Sequence, residues 1–217
     1  MQIHRENYKF ESEVVLFING QFPQKIPDVA QFQKVFCTDG AYQNLVDFNI
    51  QPDVVSGDFD SIPMAEISTE VKIIETPDQN ATDFEKALRI IIDEGFKSVS
   101  VFGCSGLEQD HFLGNLTSML KHKNEIEIRC FDDFGVYFFA ENETEIIGFP
   151  HEIFSLYPFP EAKNITSSGV KYPLVNENLS IISRIGTRNT ITENRATVSF
   201  QEGDLLLFIQ DRLLQFT

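Results

Sequence analysis

The chain has 217 residues, 42% hydrophobic and 23% charged, which suffices to bury a sizeable core and excludes disorder on composition. Lys and Arg number 17 against 33 Asp and Glu, a net charge of −16, and this balance argues against a nucleic-acid partner. Cys37, Cys104 and Cys130 form no CxxC pair and read as small buried residues. MQIHRENYKFESE carries no apolar run and no stretch approaches the roughly 18 apolar residues of a membrane span, so no signal peptide, no membrane and a cytoplasmic location are expected.

Short apolar, β-branched runs at 14–20, 35–39, 53–58, 71–75 and 98–103 read as buried strands, each ending at a Gly, Asp or Pro signal. Between them, Phe84, Ala87, Leu88, Ile91 and Ile92 repeat at helical spacing. Thr82 and Glu85 form a capping-box signature and Gly95 closes that helix. A second helix is predicted from about Gln109 to Lys121, with Leu113, Leu116 and Leu120 on one face. Strands alternating with helices imply a parallel, Rossmann-like sheet. After about residue 125 the pattern becomes IEIRCF, GVYFFA, TEIIGF, IFSLYPF, VKYPL, LSIISRI, ATVSF and DLLLFI, the rhythm of an antiparallel sandwich. The expected fold class is therefore α/β, a parallel-sheet domain over residues 1–135 followed by an all-β sandwich over 136–217.

Polar residues gather where the parallel strands end: Asp39-Gly40, Gly57-Asp58-Phe59-Asp60, Thr76-Pro77-Asp78-Gln79 leading to Asp83, and Gly103-Cys104-Ser105-Gly106 leading to Asp110-His111. Ligands of open α/β sheets bind beyond the carboxyl ends of their strands. Carboxylates without histidine or thiolate partners suit a hard cation such as Mg²⁺. Asp58 and Asp60 face one side if their segment stays extended. Taken singly, each feature has a plainer reading: Asp39 as a turn or cap residue, Asp83 as a helix start, His111 as a helix-packing or hydrogen-bonding residue. Their recurrence at successive strand ends is what favours a site.

DGAYQNLVDFNIQPDVVSGDFDSI (39–62), TPDQNATDFEKAL (76–88), DHFLGNLTSML (110–120) and SSGVKYPL (167–174) resemble the successive motifs of thiamine pyrophosphokinases. The resemblance implies an α/β nucleotide-binding catalytic domain, a C-terminal β-sandwich for thiamine binding and dimerisation, and a homodimer. It implies transfer of a pyrophosphoryl group from ATP to thiamine with Mg²⁺ as cofactor. Asp58, Asp60 and Asp83 would be catalytic and hold the metal. Asp39, Gln79, Gly103, Gly106 and Asp110 would line the nucleotide and pyrophosphate site. Tyr172 would stack on thiamine and Asn189 would contact its pyrimidine ring.

Two positions depart from the family pattern. Glu108 stands where a phosphate-binding Arg is usual, and Arg188 where a small hydroxyl residue is common. The same residues also fit a homologue that binds nucleotide or thiamine without turnover, or a pyrophosphokinase with another acceptor alcohol.

Overall fold

The protein is described by a computed structural model covering residues 1–6, 8 and 11–211. It is a sheet-rich α/β protein with two compact units, Lys9–Asp132 and Met1–Tyr8 joined with Asp133–Thr217. Its strands and helices in chain order begin with β1 (Gln2–His4), β2 (Val14–Phe17), β3 (Lys34–Thr38), α1 (Tyr42–Asp47), β4 (Val54–Gly57) and β5 (Lys72–Glu75). Then come α2 (Asp83–Asp93), β6 (Ser98–Phe102), α3 (Gln109–His122) and β7 (Glu127–Phe131). The remainder is β8 (Gly135–Phe139), β9 (Glu143–Ile147), β10 (Ile153–Ser168), β11 (Glu177–Ser180), β12 (Gly186–Thr190), β13 (Arg195–Ser199) and β14 (Glu202–Gln210).

In the unit Lys9–Asp132, six strands pair in parallel in the order β7-β6-β2-β3-β4-β5. All four residues of β2 are buried, which is why the run VVLF shows no alternation. Helix α2 packs on β3 and β4 and against α3. Its expected cap forms: the Thr82 hydroxyl accepts from the Glu85 N–H at 3.2 Å. Phe84, Ala87, Leu88 and Ile91 are buried as the periodicity requires, and Gly95 ends the helix at φ +94°. Helix α3 differs in detail. Leu116 and Met119 are buried, whereas Leu113 is 59% exposed, so the buried stripe is displaced by part of a turn from the expected face.

The unit containing Asp133–Thr217 is built of β-strands, antiparallel except where β1 runs parallel to β9. Residues 1–8 thus belong with this second unit, not with residues up to 135 as expected from sequence. The three residues of β1 are too few to carry a periodic signal, and only pairing with β9 defines them. The sixteen-residue β10 runs through Pro158 and Pro160, which read as a strand end. Its pairing with β14 shifts register between Pro158 and Ala162, so Pro158 ends one stretch of the ladder, opposite Leu205, and Pro160 falls in the irregularity. VKYPL contributes only an isolated bridge, Val170 to Ile191, and LSIISRI is strand only to Ser180. Ile182 lies in the turn that follows and is 92% exposed.

Candidate active site

The carboxyl ends of β3 and β4 meet at Asp39. This side chain is buried, and its carboxylate accepts hydrogen bonds from the N–H groups of Gly40 (2.8 Å) and Phe59 (2.9 Å). Gly57 makes room for it: a Cβ there would lie 2.2 Å from the Asp39 carboxyl carbon. Burial pushes the Asp39 carboxyl above its usual range; the Gly40 bond opposes this, and the charge of Asp83 adds to it.

The segment after β4 is not extended, contrary to the expected period-two alignment of Asp58 and Asp60. Phe59 adopts a left-handed conformation at φ +60°, an uncommon state for a bulky residue and of a kind that clusters at functional sites. The turn folds Asp60 back so that its N–H donates to Asp58 at 3.3 Å. Carboxylate oxygens of Asp39, Asp58 and Asp60 consequently all lie within 4.8 Å of one another. Gln79 donates to Asp58 at 2.9 Å, and this bond, with that from Asp60, holds the Asp58 carboxyl below its usual range.

Asp83, expected in the metal set, lines the same cleft but is not one of the three clustered carboxylates. Its carboxylate pairs with Lys86 Nζ at 2.6 Å, one helical turn along α2. Lys86 is buried and also donates to the carbonyls of Thr76 (2.9 Å) and Asp78 (3.3 Å), fastening the loop after β5 to α2. Sequence reasoning missed Lys86. Its signal was the spacing from Asp83, which places both on one helix face beside the loop.

The loop after β6 completes the wall. Gly103 has φ +83°, and a Cβ on it would sit 2.1 Å from the Ile18 carbonyl oxygen. Gly20 is equally constrained by the Gly103 carbonyl, and the Gln21 N–H donates to the Ser105 carbonyl at 2.8 Å. The loops at 18–21 and 103–106 are therefore clasped at a separation only glycine allows. Gly106, at φ +95°, packs on Gln21.

A cleft of about 620 Å³ opens between these loops within the same unit. Asp39, Asp58, Gln79, Asp83, Gly103 and Asp110 line it, and Asp60 joins through the carboxylate cluster. Thr38, also missed from sequence, lines the cleft with a buried hydroxyl that has no hydrogen-bond partner among the described residues. Glu108 is the N-cap of α3 through its backbone carbonyl, which accepts from the Phe112 N–H at 3.2 Å, but its side chain makes no cap bond. That side chain is 74% exposed at the rim, 3.6 Å from the His111 ring. The ring is 71% exposed, so of the packing or hydrogen-bonding role expected for His111 the packing is not seen. Asp110 accepts from the His111 N–H at 3.0 Å in the first turn of α3.

Tyr172 and Asn189 lie in the other unit and are joined to each other. The Tyr172 N–H donates to Asn189 Oδ1 at 3.1 Å, and Asn189 Nδ2 donates to the Tyr172 carbonyl at 2.7 Å. The Tyr172 ring is exposed, with Lys171 Nζ 5.3 Å from its centroid. Arg188 has φ +57° and is exposed.

An oxygen-only carboxylate cluster beside glycine-built loops, at the ends of parallel strands, defines an α/β protein with a site suited to a phosphorylated substrate and a hard cation. Residues 29–130 match the family model for the catalytic domain of thiamin pyrophosphokinase, and residues 144–205 match that for its vitamin B1 binding domain. A thiamine pyrophosphokinase of Bacillus subtilis is 31% identical over 172 residues, 75% of this chain and 80% of that protein. The crystal structure of thiamine pyrophosphokinase from Bacillus subtilis superposes with a TM-score of 0.79 at 26% identity, covering 91% of this chain and 98% of that one. The yeast thiamin pyrophosphokinase structure shares the fold, with a TM-score of 0.82 at 16% identity over 100% of this chain and 93% of its own. The chain belongs to the thiamine pyrophosphokinase family.

Proposed function

We propose that the protein transfers the pyrophosphoryl group of ATP to the hydroxyl of thiamine, giving thiamine diphosphate and AMP. The observation that carries this reading is the gathering of Asp39, Asp58 and Asp60 at the strand ends of a chain whose family is defined by that reaction. Such transfer depends on positioning and charge neutralisation more than on covalent work by the protein.

The donor set supports Mg²⁺. Asp39, Asp58 and Asp60 offer oxygen ligands only, close enough together to share one small cation. Asp39, Asp58, Asp83, Glu108 and Asp110 line the cleft against Lys86, the one Lys or Arg of the lining among the described residues, so a polyphosphate needs added positive charge to enter. Mg²⁺ bound there would neutralise the phosphate oxygens. Gln79 orients Asp58, Lys86 fixes the loop that carries Gln79, and the glycines of 103–106 let the backbone approach the phosphates. The Thr38 hydroxyl is available to a ligand in the same cleft.

For the acceptor, the exposed ring of Tyr172, held by Asn189, suits the permanent positive charge of the thiazolium. Lys171 over that ring marks it as a place where a cation rests. In this reading residues 9–132 form a Rossmann-like catalytic domain. Residues 133–211 form a sandwich that binds thiamine and pairs two copies into a homodimer, and the enzyme is cytoplasmic.

The test is AMP release from ATP and Mg²⁺ with and without thiamine. Thiamine-dependent AMP is the expected result. AMP formed only with another alcohol would displace thiamine as acceptor, and ATP binding without AMP under any condition would reduce the protein to a binding module.

A further inference from the structure

Cys104 and Cys130 were read from sequence as unrelated buried residues, 26 positions apart. The structure brings their sulfurs to 2.7 Å. Cys130 lies on β7, where it pairs with Val101 of β6. Cys104 lies two residues beyond β6, and the left-handed turn at Gly103 directs the chain there. The separation falls between a covalent sulfur–sulfur bond, about 2.0 Å, and ordinary non-bonded contact. Met119 Sδ, from α3, stands 3.6 Å from the Cys130 sulfur, so the pair sits in a nest of soft, oxidisable atoms.

Both thiols are buried, Cys104 at 2% and Cys130 at 0% exposure, and they differ in what they border. Cys104 forms part of the cleft wall, and Cys130 lies behind it with no exposure. A small oxidant entering the cleft therefore meets Cys104 before Cys130. The Cys104 backbone is also tied into the cleft: its carbonyl accepts from Asn115 Nδ2 at 2.9 Å, and the preceding Gly103 is clasped against Gly20.

We propose that Cys104 and Cys130 form an oxidisable dithiol that closes to a disulfide and fastens the 103–106 loop to β7, coupling peroxide exposure to nucleotide binding. The Cys104 sulfur attacks one oxygen of hydrogen peroxide, the O–O bond breaks, and one water leaves. The resulting sulfenic acid is attacked by the Cys130 sulfur, the S–O bond breaks, the S–S bond forms, and the second water leaves. Two thiols and one peroxide thus yield one disulfide and two waters. The closure does not depend on the acceptor assigned above; only its effect on the cleft rests on ATP binding there.

The folded protein is exposed to hydrogen peroxide, alkylated under denaturing conditions and digested with trypsin. Cleavage after Lys97, Lys121 and Arg129 puts the two cysteines in different peptides. The expected product is a cross-linked 104–130 pair, lighter by two hydrogens and split by dithiothreitol, with Cys37 alkylated as an internal reference. Cys130→Ser should give no cross-link and instead accumulate oxidised Cys104. Native protein that shows oxidised Cys104 without the 104–130 link overturns the proposal, as does a two-hydrogen loss that persists in Cys130→Ser. The linked protein should bind Mg²⁺–ATP several-fold more weakly in calorimetry, with full recovery on reduction. Unchanged affinity would overturn the coupling to the cleft. Failure of the reduced protein to bind ATP would instead count against the proposed function, while peptide mapping would still decide the dithiol.

Discussion

Replacing Gly57 by Ala tests how the acidic site is built. Gly57 has no left-handed φ, so alanine meets no backbone strain there. What it meets is Asp39: the new Cβ would lie 2.2 Å from the carboxyl carbon and 2.4 and 2.6 Å from the two oxygens, separations that no side chain tolerates. Asp39 must rotate and give up its hydrogen bonds from Gly40 and Phe59. Hydrogen bonds to a charged group contribute about 1.5–3 kcal/mol each, so the gross loss is about 3–6 kcal/mol. The displaced carboxylate recovers part of this by turning to water in the cleft, leaving a net loss of about 2–4 kcal/mol. For a chain of this length that lowers the melting temperature by about 4–16 °C. Turnover should fall as well, since Asp39 leaves the carboxylate cluster. In the double variant Gly57→Ala, Asp39→Ala the clash disappears, so the two stability losses should not add. Thermal melts of the three variants check this. A Gly57→Ala protein that melts and turns over as the parent does, or strict additivity in the double variant, would refute the reasoning.

Asp60→Asn should remove most Mg²⁺-dependent turnover while shifting stability by less than about 1 kcal/mol, because this exposed carboxylate carries little packing energy; near-normal AMP release from the folded variant would take Asp60 out of the site. Glu108→Arg should tighten ATP binding or leave it unchanged, since the side chain is exposed and makes no cap bond; a sharp loss of affinity in calorimetry would reveal an active role for Glu108. Tyr172→Ala should raise the thiamine KM about 2- to 30-fold, the range of a cation–π contact of about 0.5–2 kcal/mol, without altering the ATP KM; an unchanged thiamine KM would remove the ring from the acceptor site. Burial raises the Glu85 carboxyl, but the Lys121 hydrogen bond and the charges of Lys121 and Arg89 outweigh it, so it sits below its ordinary value. The stability this carboxylate contributes is present above its unfolded pKa, about 4.3, and is lost as pH falls through the depressed folded value. Glu85→Gln should therefore flatten the acid limb of the stability–pH curve, and an unchanged limb would show that the network around Glu85 is not what acid breaks.

Strand positions β2 to β6, the capped helix α2 and the grouping of acidic motifs were legible in the sequence because each rests on local physics. Continuous apolar runs mark strands buried on both faces, and Thr82 with Glu85 and Gly95 punctuates a helix by hydrogen bonds within a few residues. The motif order also placed Asp39, Asp58, Gln79 and Asp83 at successive strand ends, where the cleft is found. What pairing over long distances decides was not legible. The short β1 is a strand only because β9 accepts it, and β10 continues past Pro160 only because its pairing with β14 shifts register there. Within the site, sequence treated Asp58 and Asp60 as alternate positions of an extended segment, whereas the left-handed turn at Phe59 and the buried Asp39 bring the carboxylates together. Lys86 pairs with Asp83 for a similar reason: the lysine stem is buried between helix and loop, and a buried ammonium must be paired. The contact of Cys104 with Cys130 likewise follows from the parallel pairing of β6 with β7 and one glycine turn. Local patterns fixed which residues form each element and which end of the sheet is polar. The partners of each side chain were decided by packing between segments far apart in the chain, and no local periodicity encodes that.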